Sequence, residues 1–174
     1  MNPIIIRKAT IFDLETIQEI SKQTFIETLS DVNTPENMDN YIQKNFNKEQ
    51  VASEINNRDS AFYLAILDNE TVGYLKLNFG KAQTESYNEQ ALEIHRIYVL
   101  KAFLGKKIGQ LLLNETLKIA QQAGVDFVWL GVWEENHRAL QFYTKNGFVE
   151  FGKHIFTLGN DIQTDLLMKL QMNK

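Results

Sequence analysis

The 174-residue chain contains no cysteine. That absence excludes disulfides, thiolate metal sites, iron–sulfur clusters and a catalytic thiol. Proline is nearly absent: only Pro3 and Pro35 occur, and no Gly/Ser-rich linker, internal repeat or low-complexity tract divides the chain. One domain over residues 1–174 is expected. No apolar stretch approaches a membrane span. Met1–Lys8 lacks the basic-then-apolar order of a signal peptide. A cytoplasmic protein without membrane contact is therefore expected. Basic residues are in the minority, 18 Lys+Arg against 22 Asp+Glu, a formal charge of -4. That balance suits phosphate-driven nucleic-acid binding poorly, and no nucleic-acid partner is expected. What is present is apolar: 44% hydrophobic and 11% aromatic, enough for a sizeable core.

Hydrophobic periodicity divides the chain into alternating elements. Ile4–Ile6 reads as a first strand. Thr10 and Asp13 form a capping-box-like start, and Phe12, Leu14, Ile17, Ile20 and Phe25 continue at helical spacing to about Leu29. Thr34-Pro35-Glu36 opens a second helix, and Asn47 caps a third that runs through Ile55. Ala61–Leu67 and Thr71–Phe79 read as a hairpin across Asp68-Asn69-Glu70, with a bulge expected near Gly73. Gly80–Glu89 is polar and is expected to be a mobile loop. Leu92–Val99 is a strand, Ile108–Ala123 a helix stopped by Gly124, and Asp126–Trp133 a strand. Asn136 caps a helix that ends at Gly147. Phe148–Thr157 and Ile162–Leu170 close the chain as a strand pair. The expected order is β-α-α-α-β-β-β-α-β-α-β-β, a mixed α/β domain.

The segment from Leu92 to Gly109 carries most of the chemistry. A strand, Leu92-Glu93-Ile94-His95-Arg96-Ile97-Tyr98-Val99, leads to Leu104-Gly105-Lys106-Lys107-Ile108-Gly109, which opens a long helix. The first amides of such a helix have no internal partner and the helix dipole is positive there, a ready site for a pyrophosphate. The plainer reading is a strand-to-helix turn with solvated lysines. The loop is neither G-x-x-x-x-G-K-[ST] nor G-x-G-x-x-G, which argues against nucleotide triphosphatases and ordinary dinucleotide enzymes.

On these residues the chain resembles the GNAT superfamily of N-acetyltransferases. The family's loop has the form Q/R-x-x-G-x-G/A. Here Gly109 keeps the final glycine, while Leu104 and Lys107 depart from the leading Gln/Arg and the central glycine. A second stretch, Asn136 through Ala139, Phe142-Tyr143 and Gly147-Phe148, resembles the family's N-x-x-A-x-x-F-Y-x-x-x-G-F signature. Thr34–Met38, Leu92–Tyr98, Trp129–Glu134 and Gln163–Leu166 extend the likeness to the Pai-type branch, described as polyamine (spermidine/spermine) acetyltransferases.

The resemblance implies a GNAT fold whose central sheet splays between the fourth and fifth strands, with acetyl-CoA as co-substrate bound in the cleft. The backbone of Ile97, Tyr98 and Val99 would pair with the pantetheine arm. The loop of Gly105, Lys106, Lys107, Ile108, Gly109 and Gln110 would hold the pyrophosphate. Asn136 and Lys145 would contact the rest of the cofactor. The acceptor would be a primary amine, a polyamine first of all. An amine of pKa near ~10 is only about 0.1% neutral at pH 7, so a base must help. Glu93 is the first candidate, because the family often keeps a glutamate there. Strand alternation puts His95 on the same face, as second candidate, though a lone strand histidine is more often just hydrogen-bonded. Tyr143 would protonate the departing thiolate, and a backbone N–H near Val99 would stabilise the oxyanion. Without cysteine, an acetyl-cysteine intermediate is excluded, leaving direct transfer. Glu27, Asp31, Glu36, Glu85 and Glu89 are acidic candidates around the amine entrance, each more simply read as a solvated surface carboxylate. Trp129 is expected in the core and Trp133 on the cleft wall. His137 and His154 show no ligand spacing, so no metal is expected. A homodimer is one assembly compatible with the sequence. Alternatives are a GNAT acting on a protein N-terminus or amino acid, a CoA-binding regulator with little catalysis, and a DNA-binding regulator, the last opposed by the acidic balance.

Overall fold

The computed structural model describes residues 2–85, 87 and 90–173. Glu89 lies outside them. The elements run β1 (Ile5–Lys8), α1 (Leu14–Leu29), α2 (Pro35–Asn45), α3 (Lys48–Asn56), β2 (Ser60–Leu67), β3 (Glu70–Phe79), β4 (Ala91–Val99), α4 (Ile108–Ala123), β5 (Phe127–Trp133), α5 (His137–Lys145), β6 (Val149–Leu158) and β7 (Asp161–Gln171). The expected order is the observed one. The helix starts follow local chemistry. Thr10 Oγ1 accepts the Phe12 N–H at 3.3 Å while the Asp13 carboxylate accepts the Thr10 N–H at 2.9 Å, closing a capping box. The expected first helix begins later than its periodicity suggests, because Ile11–Asp13 is a tighter 3-10 turn leading into α1. Thr34 caps α2, and Asn47 caps α3 through a 2.8 Å bond from the Gln50 N–H.

All seven strands form one sheet in the order β1-β2-β3-β4-β5-β7-β6. Every neighbouring pair is antiparallel except β4 and β5. One face carries Leu75, Leu77, Leu92 and Ile94 against Ile108, Leu112 and Leu113 of α4. The other carries Phe62, Leu64 and Tyr74 against Ile17 and Ile20 of α1. Burying both faces explains why β2 and β3 read as nearly continuous apolar runs.

Two irregularities set up the cleft. The β3–β4 register skips from Lys76↔Arg96 to Leu77↔Ile94, so His95 is the extra residue of a β-bulge. Simple alternation, which placed His95 beside Glu93, therefore does not hold through this strand. Leu92, Ile94, Ile97 and Val99 pack toward the α4 side, and Tyr98 joins Tyr74 on the α1 side. A second bulge, the one expected near Gly73, falls at Val72, where Ala65 pairs with Gly73 and Ile66 with Thr71. The parallel β4–β5 ladder holds only from Ala91↔Phe127 to Glu93↔Trp129. Beyond it the strands diverge, leaving the β5-facing backbone of Ile94–Val99 without a ladder partner. The described part of the Gly80–Glu89 loop is tied down: the Trp129 indole N–H donates to Gln83 Oε1 at 2.7 Å, and Thr84 bonds to Glu93.

Candidate active site

Two cavities open where β4 and β5 part. The first, of about 520 Å³, lies between the C-terminal half of β4, the loop before α4 and the side of α5. It brings together every cofactor residue expected from the sequence except Lys106, whose ammonium instead sits 4.9 Å over the Phe103 ring. Lys101, Phe103 and Arg138 also line it, and nothing in the sequence pattern marked them. The loop geometry is specific. Gly105 has φ +83° and Lys107 has φ +64°, both left-handed. Lys107 stands where the resemblance expects glycine, and a non-glycine residue there is strained by roughly 1–2 kcal/mol. The backbone path is thus kept although the residue type is not. Leu111 N–H makes the first bond back into the helix, to the Lys107 carbonyl at 3.1 Å. The amides ahead of it have no intrahelical acceptor and sit at the positive end of the α4 dipole, as a diphosphate requires. A partnerless strand edge on β4 and this amide cradle together fit the pantetheine and pyrophosphate of CoA, through backbone groups that any non-proline residue supplies.

The second cavity, of about 380 Å³, lies on the α1–α2 side and is walled by α1, α2, β3, β4, β5, α5, β6 and β7. Aromatic rings form much of it, including Phe25, Tyr41, Trp133 and Phe156. Tyr41 stacks on Phe25 with centroids 4.5 Å apart. Trp129 is both core, as expected, and a lining residue. Thr28, Ile97, Tyr98, Asn136, Ala139 and Tyr143 line both cavities, so the two meet at these residues. Tyr143 is 6% exposed, held on α5 between the rings of Phe142 and Phe148. Burial pushes its phenol above the ordinary tyrosine range, keeping it protonated at neutral pH. Asn136 is spoken for by structure as well: its Oδ1 caps α5 by accepting the Ala139 N–H at 3.2 Å.

The two candidate bases differ in their surroundings. Glu93 is 2% exposed, and its carboxylate accepts the Thr84 N–H at 2.8 Å, the Thr84 hydroxyl at 2.6 Å and the Asn78 amide at 3.4 Å. His95 lies beside a buried ion network. Glu54 receives Lys76 at 2.9 Å and Arg96 at 3.2 and 3.3 Å, and Arg96 rests 5.0 Å over the Phe46 ring. Burial lowers the Lys76 ammonium to about 8, with Arg96 adding to the effect and Glu54 opposing it. Burial works to raise Glu54, but Arg96 and Lys76 outweigh it and hold the carboxyl below its usual range. Burial, then Arg96 and Lys76, push His95 well below the ordinary histidine value, so its imidazole is neutral at pH 7. At the far end His154 stands between two carboxylates, Asp165 at 3.4 Å and Glu85 at 3.3 Å.

Of the other acidic candidates, Glu27 lines the first cavity and accepts the Lys101 N–H at 2.8 Å. Asp31, Glu36 and Glu85 line neither cavity. Asp165 and His154, which do line the second cavity, carried no role in the sequence reading. Among the described residues no group of three or more His, Cys, Asp or Glu could hold a metal ion, and no helix is long and apolar enough to cross a membrane.

This geometry suits an acyl-CoA-dependent transferase, and comparison with known proteins gives the class. The Acetyltransferase (GNAT) family matches residues 15–148, and the chain belongs to that family. It is an N-acetyltransferase that uses acetyl-CoA as co-substrate. It is 38% identical over 157 residues to an uncharacterized N-acetyltransferase in the pepI 3' region of Lactobacillus delbrueckii subsp. lactis, covering 90% of this chain and 91% of that protein. It is 31% identical over 149 residues to the spermidine N(1)-acetyltransferase of Thermoplasma acidophilum, covering 83% and 88%. The crystal structure of the PaiA N-acetyltransferase of Thermoplasma acidophilum in complex with coenzyme A superposes with a TM-score of 0.80 at 28% identity, covering 98% of this chain and all of that one.

Proposed function

We propose that residues 1–174 act as one domain that acetylates a primary amine directly, with a polyamine such as spermidine or spermine as the acceptor. The observation that carries this reading is the meeting of two cavities at Tyr143, one suited to CoA and one lined by aromatic rings and carboxylates. The spermidine acetyltransferase relative supports the choice of acceptor. In this reading the β4 edge at Ile97–Val99 holds the pantetheine, the amides of Gly105–Gln110 hold the pyrophosphate, and Lys107 and Lys145 add positive charge. The neutral amine nitrogen attacks the thioester carbonyl, the carbon–sulfur bond breaks, and Tyr143 gives its proton to the departing sulfur. The Val99 N–H stabilises the oxyanion.

Glu93 is the base expected from the sequence. Three donors already occupy a carboxylate with about four acceptor sites, so it would take the proton through a water. His95 is the second reading. It is favoured by an imidazole that is neutral at pH 7 and by an Nδ1 that is buried without a hydrogen-bond partner in the acceptor cavity. Initial rates of CoA release with spermidine, spermine, N-terminal peptides and free amino acids test the function. Turnover of polyamines above the others is expected. Turnover of peptides or amino acids with none on any polyamine overturns the acceptor assignment, and acetyl-CoA binding without transfer to any amine overturns the enzymatic reading of the acceptor cavity.

A further inference from the structure

The acceptor cavity is electrically lopsided. At its β3–β4 end the charges are close to balanced: Arg96 and Lys76 face Glu54, and Lys76 also feels Glu93. Arg96 is the one lysine or arginine among the lining residues. At the β6–β7 end Asp165 lines the cavity and shares a single histidine, His154, with Glu85, which stands behind that histidine outside the lining; His154 is charged only when protonated. Burial raises Asp165 above the usual carboxylate range although His154 lies 3.4 Å away, so its local counter-charge is incomplete. The floor there is open because β5 carries Gly131: a Cβ at that position would stand 3.4 Å from His154 Cε1 and 3.6 Å from Asp165 Oδ2.

A second observation is independent of the carboxylates. Among the described residues, His95 Nδ1 is buried and makes no hydrogen bond. His95 lines this cavity. Buried polar groups are almost always satisfied, so an unpartnered nitrogen facing this space indicates a polar occupant.

We propose that Asp165, with Glu85 across His154, forms a subsite for a second, protonated nitrogen of the acceptor, so that the enzyme selects diamines and polyamines over monoamines. This rests on the amine-acetyltransferase reading above and gives it a physical basis. The reacting nitrogen must lose its proton, and it lies toward Tyr143 and His95, where Arg96 and Lys76 disfavour an ammonium. The remote nitrogen must keep its charge in a cavity that removes its water, and it lies where the Asp165 carboxylate replaces that water, with Glu85 adding negative charge from behind His154. The aromatic wall of Trp133 and Phe156 covers the methylenes between.

The test compares 1,4-diaminobutane with n-pentylamine, in which a methyl group replaces the second ammonium at nearly equal size, alongside spermidine. For the wild-type enzyme kcat/KM for the diamine should exceed that for the monoamine by about tenfold or more, as a charge-assisted bond in a buried site provides. Asp165→Asn should lower that ratio by about tenfold, chiefly through KM for the diamine. Glu85→Gln, at the more exposed carboxylate, should lower it less. The KM for acetyl-CoA, measured on the same variants, reports the fold of the cofactor cleft. A ratio unchanged in both variants, with spermidine still acetylated, overturns the subsite and leaves the polyamine reading standing. Acetylation of the monoamine but of neither polyamine nor diamine by the wild-type enzyme overturns both.

Discussion

The two cavities that meet at Tyr143 are built from different materials. The proposed cofactor side is mostly backbone: a strand edge left bare where β4 and β5 diverge, and the leading amides of α4. The proposed acceptor side is mostly side chain, drawn from eight elements and organised around a buried ion network and two histidines. A backbone site tolerates changes of residue type as long as the path of the chain is kept, and Lys107 in a left-handed conformation keeps it. A side-chain site has no such tolerance, because each group there is partnered or conspicuously left without a partner.

The largest expected effect falls on the acceptor side. Glu54→Gln strands Lys76 and Arg96 as uncompensated buried cations and should cost about 3–5 kcal/mol of stability, read by chemical denaturation. A loss below about 1 kcal/mol would mean that water reaches these cations and that the network is not buried in solution. Next comes the junction. Tyr143→Phe should lower turnover by about 10²-fold while KM for acetyl-CoA changes by less than about threefold. Equal activity would remove Tyr143 from proton transfer.

The bases come third. His95→Gln should cost about tenfold or more in kcat and remove the acidic limb of the pH–rate profile if His95 takes the proton. Glu93→Gln should do so instead if Glu93 does. His95 also sets a stability slope. The unfolded chain restores it to about 6.5 while the folded state holds it lower, so between those values the unfolded state binds more protons. Its contribution is complete above about pH 6.5 and is lost as pH falls below that. Denaturation at several pH values should show the slope, and His95→Gln should flatten it.

The smallest effects belong to the cofactor loop. Lys107→Gly should stabilise the protein by about 0.5–1 kcal/mol, since glycine relieves the left-handed strain, and should raise KM for acetyl-CoA by no more than about fivefold. Lys106→Ala should change that KM by less than about twofold, because Lys106 faces Phe103. A larger effect at Lys106 than at Lys107 would break the assignment of the cradle.

The residues proposed for the cofactor side were legible in the sequence because their signals are local. Helix starts at Thr34, Asn47 and Asn136 depend on bonds spanning three residues, and the loop before α4 depends on contiguous residues. The acceptor side was nearly invisible for the opposite reason. Asp165 meets His154 through the β6–β7 register and faces Gly131 across β7 and β5, so no spacing along the chain announces the cluster. Likewise the pairing of Glu54 with Arg96 joins residues 42 apart.

By itself the sequence determined the order of elements, the absence of any thiol on the protein, and the strand, loop and helix that present a line of backbone amides. These follow from periodicity, composition and capping, which act over a few residues. Only the tertiary structure decided that His95 sits in a bulge, that Glu93 is tied to Thr84 and Asn78, and that Asp165, His154 and Glu85 converge. Those outcomes depend on strand register and on burial. Both come from packing between distant segments, where a single skipped residue re-phases a strand and the loss of water resets what each charged group can do.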